Sequence, residues 1–403
     1  MLKRMLEPSL KLSASEYPIV AILGPRQSGK TTLAIHTFPQ HNYVSLEDLD
    51  VREHALRDPR DFLEIYRNSY GMIIAEAQHV PSLFSYLQTI VDREKKRGFF
   101  ILTGSQNFSL NASITQSLAG RISILTLLPL SIEELKNNQS LPATIESTMF
   151  QGLYPSIYAN DQLPQPRSAQ WYTNYIRSYI EKDVRQIKNV TNLSDFQRFM
   201  QLCAARTGQI LNLSSISIEC GITVNTAKAW LSVLEASYII YLLQPHSGGF
   251  KKRIVKAPKL FFFDTGIVCA LLKLDTIEKV VLESTIKGNI FESMIVTEIV
   301  KSYYNSDRAP HVYFWRDKTG HEVDCIIDQG TYTIPVEIKF SKTIKQDLFK
   351  GLDYWNMLSE TTLDKKTINR GFLIYGGTQQ QVRSEINVIG WQDINVLASL
   401  FTN

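Results

Sequence analysis

Short, unbroken apolar runs separated by helix-like segments dominate the first third of the chain. Ile19-Val20-Ala21-Ile22-Leu23, Met72-Ile73-Ile74 and Phe99-Phe100-Ile101-Leu102 each end at polar or glycine residues. Runs without alternation predict strands covered on both faces, the mark of a parallel sheet in an α/β domain. Between the last two, Ser82 to Lys95 repeats at helical spacing, with Leu83, Leu87, Ile90 and Val91 on one stripe. The pattern then turns helical until residue 265 or so. Further on, a helix over Ile290–Tyr304 precedes strand-like segments at Val312–Trp315, Glu322–Ile327 and Tyr332–Lys339. That α+β order differs from the first and predicts a separate unit. The expected division is 1–135 (α/β parallel sheet), 136–195 (helical lid or linker), 196–265 (helix-turn-helix) and 266–403 (α+β).

Composition changes this picture little. The 403 residues are 44% hydrophobic and 20% charged, with a net charge of +4. That balance excludes a disordered chain and leaves nucleic-acid binding to the local distribution of charge. Cys203, Cys220, Cys269 and Cys325 form no C-x-x-C pair, so buried reduced thiols are expected rather than a zinc site or disulfides. The first residues lack the apolar run of a signal peptide, and no stretch reaches the ~20 apolar residues of a membrane span. A soluble cytoplasmic protein, with no membrane partner, is the expectation.

The first candidate chemistry lies where the first strand ends. Gly24-Pro25-Arg26-Gln27-Ser28-Gly29-Lys30-Thr31 has the P-loop spacing G-x-x-x-x-G-K-T, after a predicted strand and opening a predicted helix. Backbone N–H groups of such a loop curl around phosphate, and the helix N-terminus adds its positive dipole end. The expected ligand is ATP, held by Gly24 to Thr32, with Lys30 on the β- and γ-phosphates and the Thr31 hydroxyl on Mg²⁺. A second strand beside the loop is expected to end in Asp-Glu, and here Met72-Ile73-Ile74 ends in Ala75-Glu76. Glu76 is placed to orient the attacking water, while Ala75 occupies the place of a Mg²⁺-holding Asp. Ser105 or Gln106 suits a γ-phosphate sensor, and Arg121 is a candidate to neutralise transition-state charge, from a neighbouring subunit of a homo-oligomer or as a mere surface ion pair.

These motifs, with Glu76-Ala77-Gln78, Pro81, Leu102-Thr103-Gly104-Ser105 and Leu118-Ala119-Gly120-Arg121, resemble the prokaryotic AAA+-like ATPases that carry an uncharacterised C-terminal domain. The resemblance continues through Gly152-Leu153-Tyr154-Pro155, Tyr179 to Asp183, Phe263-Asp264-Thr265-Gly266 and Gly288 to Glu292. It implies ATP binding and, usually, hydrolysis. Members of that family normally show Asp where this chain has Ala75, so the expectation is that ATP binds while turnover is slow.

A second set of signals falls in 196–265. Leu213 to Cys220 predicts a short amphipathic helix and Gly221-Ile222-Thr223 a tight turn. Thr223 or Asn225 then caps a second helix running to Ser237 or so, with Ala227, Trp230, Leu231 and Leu234 buried. A strand over Tyr238–Leu243 leads to a Gly-Gly turn flanked by Lys251, Lys252, Arg253, Lys256 and Lys259. Together these resemble a winged-helix module, whose second helix, carrying Asn225 and Lys228 on its solvent side, commonly docks in the DNA major groove. The basic wing would add salt-dependent phosphate contacts. Such modules also serve as protein-packing units, and both readings stand.

The third set is Glu322-Val323-Asp324-Cys325-Ile326-Ile327, Asp328-Gln329-Gly330-Thr331 and Val336-Glu337-Ile338-Lys339. A two-residue turn at Gly330-Thr331 would pair Asp324 with Glu337, which are equally far from it, at ~4.5–5.5 Å between Cβ atoms. Lys339 shares their face, and Val323, Cys325, Val336 and Ile338 would line the other. Two carboxylates that close invite a cation, and Asp324 and Glu337 are the expected Mg²⁺ or Mn²⁺ ligands, with Lys339 activating water. The arrangement resembles the core of the PD-(D/E)xK nuclease superfamily, and Glu292 matches the extra acidic residue such cores take from their first helix. A surface hairpin, or a nuclease-like fold that has lost catalysis, remains open beside this. The expected functions are an ATP-controlled, metal-dependent DNA nuclease or a nucleotide-dependent switch that cuts nothing.

Overall fold

The structure is a computed structural model that describes residues 2–105, 118–159, 167–182, 193–246, 255–283, 285–362, 366–367 and 370–402. Gln106 and the predicted wing residues Lys251, Lys252 and Arg253 lie outside the described residues. Two compact units are present: residues 1–130 with 236–238 and 303–308, and the remainder, 131–235, 239–302 and 309–403.

The first unit is a five-stranded parallel sheet with helices on both faces. Its elements are α1 (Glu7–Glu16), β1 (Ile19–Gly24), α2 (Lys30–Thr37), β2 (Asn42–Ser45), α3 (Leu49–Arg57), α4 (Pro59–Tyr66), β3 (Met72–Ala75), α5 (Leu83–Glu94), β4 (Phe100–Ser105) and β5 (Ile122–Thr126). The strand order is β2-β3-β4-β1-β5. Alternate side chains of β1 feed two cores: Ile19, Ala21 and Leu23 pack with Phe62, Phe84 and Leu87, while Val20 and Ile22 pack with Leu6, Leu10 and Leu33. The unbroken apolar run of β1 is therefore the signature of a strand with no solvated face. β3 lies beside β4 rather than beside β1, so the expectation that the Glu76 strand neighbours the P-loop strand is corrected. β4 intervenes and brings Thr103 between them, in register with Ile22 and Ala75.

The second unit begins with helices at Ile132–Asn137, Ile145–Gln151, Pro155–Tyr158, Arg167–Lys182 and Leu193–Ala204, the helical stretch expected from sequence. β6 (Gln209–Ile210), β7 (Ile240–Pro245) and β8 (Lys259–Phe262) flank a helix pair at Leu213–Cys220 and Val224–Ala236. The second of these helices is capped by Thr223, whose Oγ1 accepts from Thr226 N at 3.1 Å. It buries Ala227, Trp230, Leu231 and Leu234 and exposes Asn225 and Lys228. β7 also pairs in parallel with β9 (Val312–Arg316), and the ladder continues through β10 (Glu322–Asp328) and β11 (Tyr332–Lys339). It then passes through β13 (Phe372–Tyr375) and β15 (Ile386–Gly390) to β14 (Gln381–Arg383), with the short β12 (Lys366–Thr367) paired to β11. The expected boundary between 265 and 266 thus falls inside one continuous sheet.

Candidate functional sites

The nucleotide loop is built by backbone constraint. Gly24 has φ +150, and a Cβ there would meet the Leu127 carbonyl oxygen at 2.1 Å. Gly29 heads α2 in the left-handed region at φ +91, and Gln27 adopts φ +60, a strained choice for a residue with a side chain. Lys30, buried, donates from Nζ to the Gly24 oxygen at 3.0 Å and the Pro25 oxygen at 2.7 Å. Among the described residues, Ser28 Oγ is buried without a hydrogen-bond partner. A loop with such a lysine and a helix start is a fit for a nucleotide's phosphates.

Around it, Thr31 Oγ1 lies 3.4 Å from Thr103 Oγ1. Thr31 would offer Mg²⁺ one hydroxyl, with phosphate oxygens and water as the remaining ligands. Glu76 follows β3 at φ +55 and accepts from Gln78 Nε2 at 2.5 Å. Thr103 and Gln78 carry no chemical signal of their own in the sequence; each becomes visible only once β4 and the turn after β3 are in place. Arg4, 4% exposed, is a further surprise: its guanidinium donates to the Ser28 oxygen and the Leu128 oxygen, both at 2.7 Å. Arg121 is not brought to the loop. It precedes β5 at the edge where β1 begins, and it pairs with Asp92 through Nε at 2.7 Å and Nη2 at 2.9 Å.

The hairpin of β10 and β11 has the expected register: Cys325 faces Val336, Ile326 Pro335 and Ile327 Ile334, with Gly330 at φ +79 in the turn. Asp324, Glu337 and Lys339 do come together. Lys339 Nζ lies 2.9 Å from Asp324 Oδ2 and 2.7 Å from Glu337 Oε1, and Asp324 Oδ2 also accepts from Ile338 N at 2.8 Å. Of the expected apolar face, Cys325 and Val336 stay paired and buried with Ile338, but Val323 leaves it. A bulge in β10 between Val323 and Ile326 lets both pack in one cluster with Trp315, Trp355 and Leu373, which strict alternation forbids.

A second lysine enters the same site. Lys259, expected in the basic wing, is instead 3% exposed at the start of β8. Its Nζ lies 2.8 Å from Glu292 Oε1, contacts Glu322, and sits 5.6 Å from the centre of the Phe314 ring. Arg316 Nη1 reaches the other Glu322 oxygen at 3.2 Å. Burial pushes Glu337 up to about 8, with Asp324 adding to it, and pushes Glu292 up to about 7 against the pull of Lys259. Burial would raise Asp324 too, but Lys339 and then Lys259 bring it below its ordinary value. Among the described residues, the carboxylates close enough to share one ion are Glu292, Glu322 and Asp324, within 4.8 Å of one another. Glu337 is not in that set, although the sequence names it with Asp324. The donors suit a hard divalent ion, but Lys259 Nζ already lies against two of them.

Two motifs that carry the family resemblance meet for structural reasons. Asp264 accepts from Leu153 N at 2.6 Å and caps the helix Thr265–Leu271 through Ile267 N at 3.2 Å. Gly152, at φ +62, could carry no Cβ, which would lie 2.0 Å from Tyr172 Oη. The four cysteines are free and buried, as expected. Among the described residues no helix is long and apolar enough to cross a membrane.

Residues 16–136 match the model of the family described as an AAA domain, and residues 143–278 and 287–394 match two families described as domains of unknown function. The uncharacterized proteins Rv2008c of Mycobacterium tuberculosis and Mb2031c of Mycobacterium bovis are each 27% identical over 339 residues, 83% of this chain and 73% of theirs. Among solved structures, the Walker-type ATPase PABY2304 of Pyrococcus abyssi aligns over 67% of this chain and 96% of its own, at 15% identity and a TM-score of 0.42. The RuvB Holliday junction branch migration motor of Thermotoga maritima aligns over 59% and 88%, at 14% identity and a TM-score of 0.29.

Proposed function

We propose that the AAA-type ATPase domain at residues 16–136 is the control site of a nucleotide-dependent switch that engages DNA through the C-terminal half of the chain. The observation that carries this is the phosphate cradle itself: Gly24, Gln27 and Gly29 in constrained conformations around Lys30. ATP with Mg²⁺ is its ligand. Lys30 would exchange the Gly24 and Pro25 carbonyls for phosphate oxygens, the Thr31 hydroxyl would help hold Mg²⁺, whose charge would offset that of the phosphates, and Glu76 would orient water. With Ala75 in place of an acid, binding outlasts turnover, which is the behaviour a switch needs.

DNA engagement draws support from the helix pair at 213–236 beside a small antiparallel sheet, an arrangement like a winged helix, with Asn225 and Lys228 exposed. The test is DNA binding followed by fluorescence anisotropy at fixed salt, without nucleotide, with ADP and with a non-hydrolysable ATP analogue. A nucleotide-dependent change in affinity that Lys30→Ala abolishes is expected; equal affinity in all three states would sink the proposal.

Strand cleavage with Mg²⁺ or Mn²⁺ is the second reading, favoured by the register that brings Asp324, Glu337 and Lys339 together. Incubating plasmid and oligonucleotide DNA with each metal, with and without ATP, tests it. Asp324→Ala should abolish any cut, and cleavage that survives would place the chemistry elsewhere.

A further inference from the structure

Three carboxylates as close as Glu292, Glu322 and Asp324, within 4.8 Å of one another, need a cation among them or a proton on one. Lys259 supplies the cation from β8, which lies beside β7 and not beside the hairpin. Its Nζ touches Glu292 and Glu322, and the Phe314 ring closes one side. Lys339 holds Asp324 and Glu337 from the opposite end, and Arg316 takes the outer oxygen of Glu322. A divalent ion would compete with an ammonium already in contact with two of its three ligands. Evicting that ammonium would strand a buried charge.

We infer that the ammonium of Lys259 is the resident cation of this cluster, holding the place among Glu292, Glu322 and Asp324 that a divalent ion would take. The cluster is then a metal-free ionic junction that ties β8, the helix Lys287–Asn305 and β10 together. The inference needs neither ATP nor DNA, and it stands against the cleavage reading of the same hairpin.

The full chain, free of nucleotide, is titrated with Mn²⁺ and the bound ion counted by electron paramagnetic resonance. Wild type and Asp324→Asn should be indistinguishable. Lys259→Met, close in size but uncharged, should gain one Mn²⁺ per chain at least ~10-fold tighter than wild type, and Lys259→Met/Asp324→Asn should lose it. A wild-type ion that disappears in Asp324→Asn would overturn the inference, as would a folded Lys259→Met that gains none. Should Lys259→Met fail to fold, the wild-type and Asp324→Asn pair decides alone. The DNA-affinity measurement is separate, so failure of either reading is told apart from failure of the other.

Discussion

Lys30 and Lys259 are both buried lysines, 6% and 3% exposed, and each is the first residue of a regular element. Their partners differ. Lys30 donates to two neutral carbonyls of its own loop, whereas Lys259 lies against two carboxylates from distant parts of the sequence. Carbonyl oxygens can be exchanged for phosphate oxygens with a gain in Coulomb attraction, so the first lysine is poised to bind. The second has its charge matched, and exchange would cost more than it returns. Burial alone would pull Lys259 down, but Glu292, Asp324 and Glu322 more than reverse this and hold its ammonium above the ordinary lysine range. The same side chain thus makes a ligand site in one unit and a structural tie in the other.

The sharpest way to break the comparison is to neutralise each lysine and ask what is lost. Lys259→Met leaves buried carboxylates uncompensated and should cost about 3–5 kcal/mol of stability, read from urea unfolding. A loss below about 1 kcal/mol would mean that the carboxylates find other partners. Lys30→Ala should leave unfolding nearly unchanged and cost about 3 kcal/mol of ATP affinity, roughly a hundredfold in Kd by calorimetric titration. Near-wild-type affinity would show that the lysine stays on its loop carbonyls when nucleotide binds.

This contrast also marks what the sequence could reveal. Lys30 is legible because its whole environment is local: glycine spacing, the preceding strand and the following helix lie within one short segment. Lys259 is not, because its partners Glu292 and Glu322 are far along the chain, and its neighbours Lys251, Lys252, Arg253 and Lys256 disguise it as one more cation of a basic turn. The strands divide in the same way. β1, β3 and β4 occupy the middle of the first sheet and announce themselves as unbroken apolar runs. β2 and β5 are its edges, partly exposed at Tyr43 and Ile124, and their mixed residues carry no clear strand pattern. The hairpin register was legible because Gly330 fixes the turn. The bulge at Asp324 and Cys325 was not, since it depends on the partner strand β9.

A smaller effect tests the loop from its acidic side. Ala75 is in register with Thr103, which in turn lies 3.4 Å from the Thr31 hydroxyl. Ala75→Asp would therefore place a carboxylate at the end of β3, beside the strand that faces the expected Mg²⁺ position. Steady-state phosphate release should rise about tenfold, equivalent to about 1.4 kcal/mol of barrier, with little change in ATP affinity. An unchanged rate would mean that slow turnover has another cause than the missing acid.

The smallest expected effect comes from a third lysine, which is neither poised nor neutralised. Lys228 is exposed on the second helix of the pair, one turn from its capped start at Thr223. Its ammonium is solvated, so exchanging water for a DNA phosphate gains little directly, and the gain comes from releasing counterions. Lys228→Ala should therefore weaken DNA binding about threefold at moderate salt and lower the slope of log affinity against log salt by about one. ATP affinity and stability should not move, since the side chain belongs to neither buried site. A threefold loss with an unchanged salt slope would rule out a phosphate contact, and no loss at all would take this helix away from the DNA.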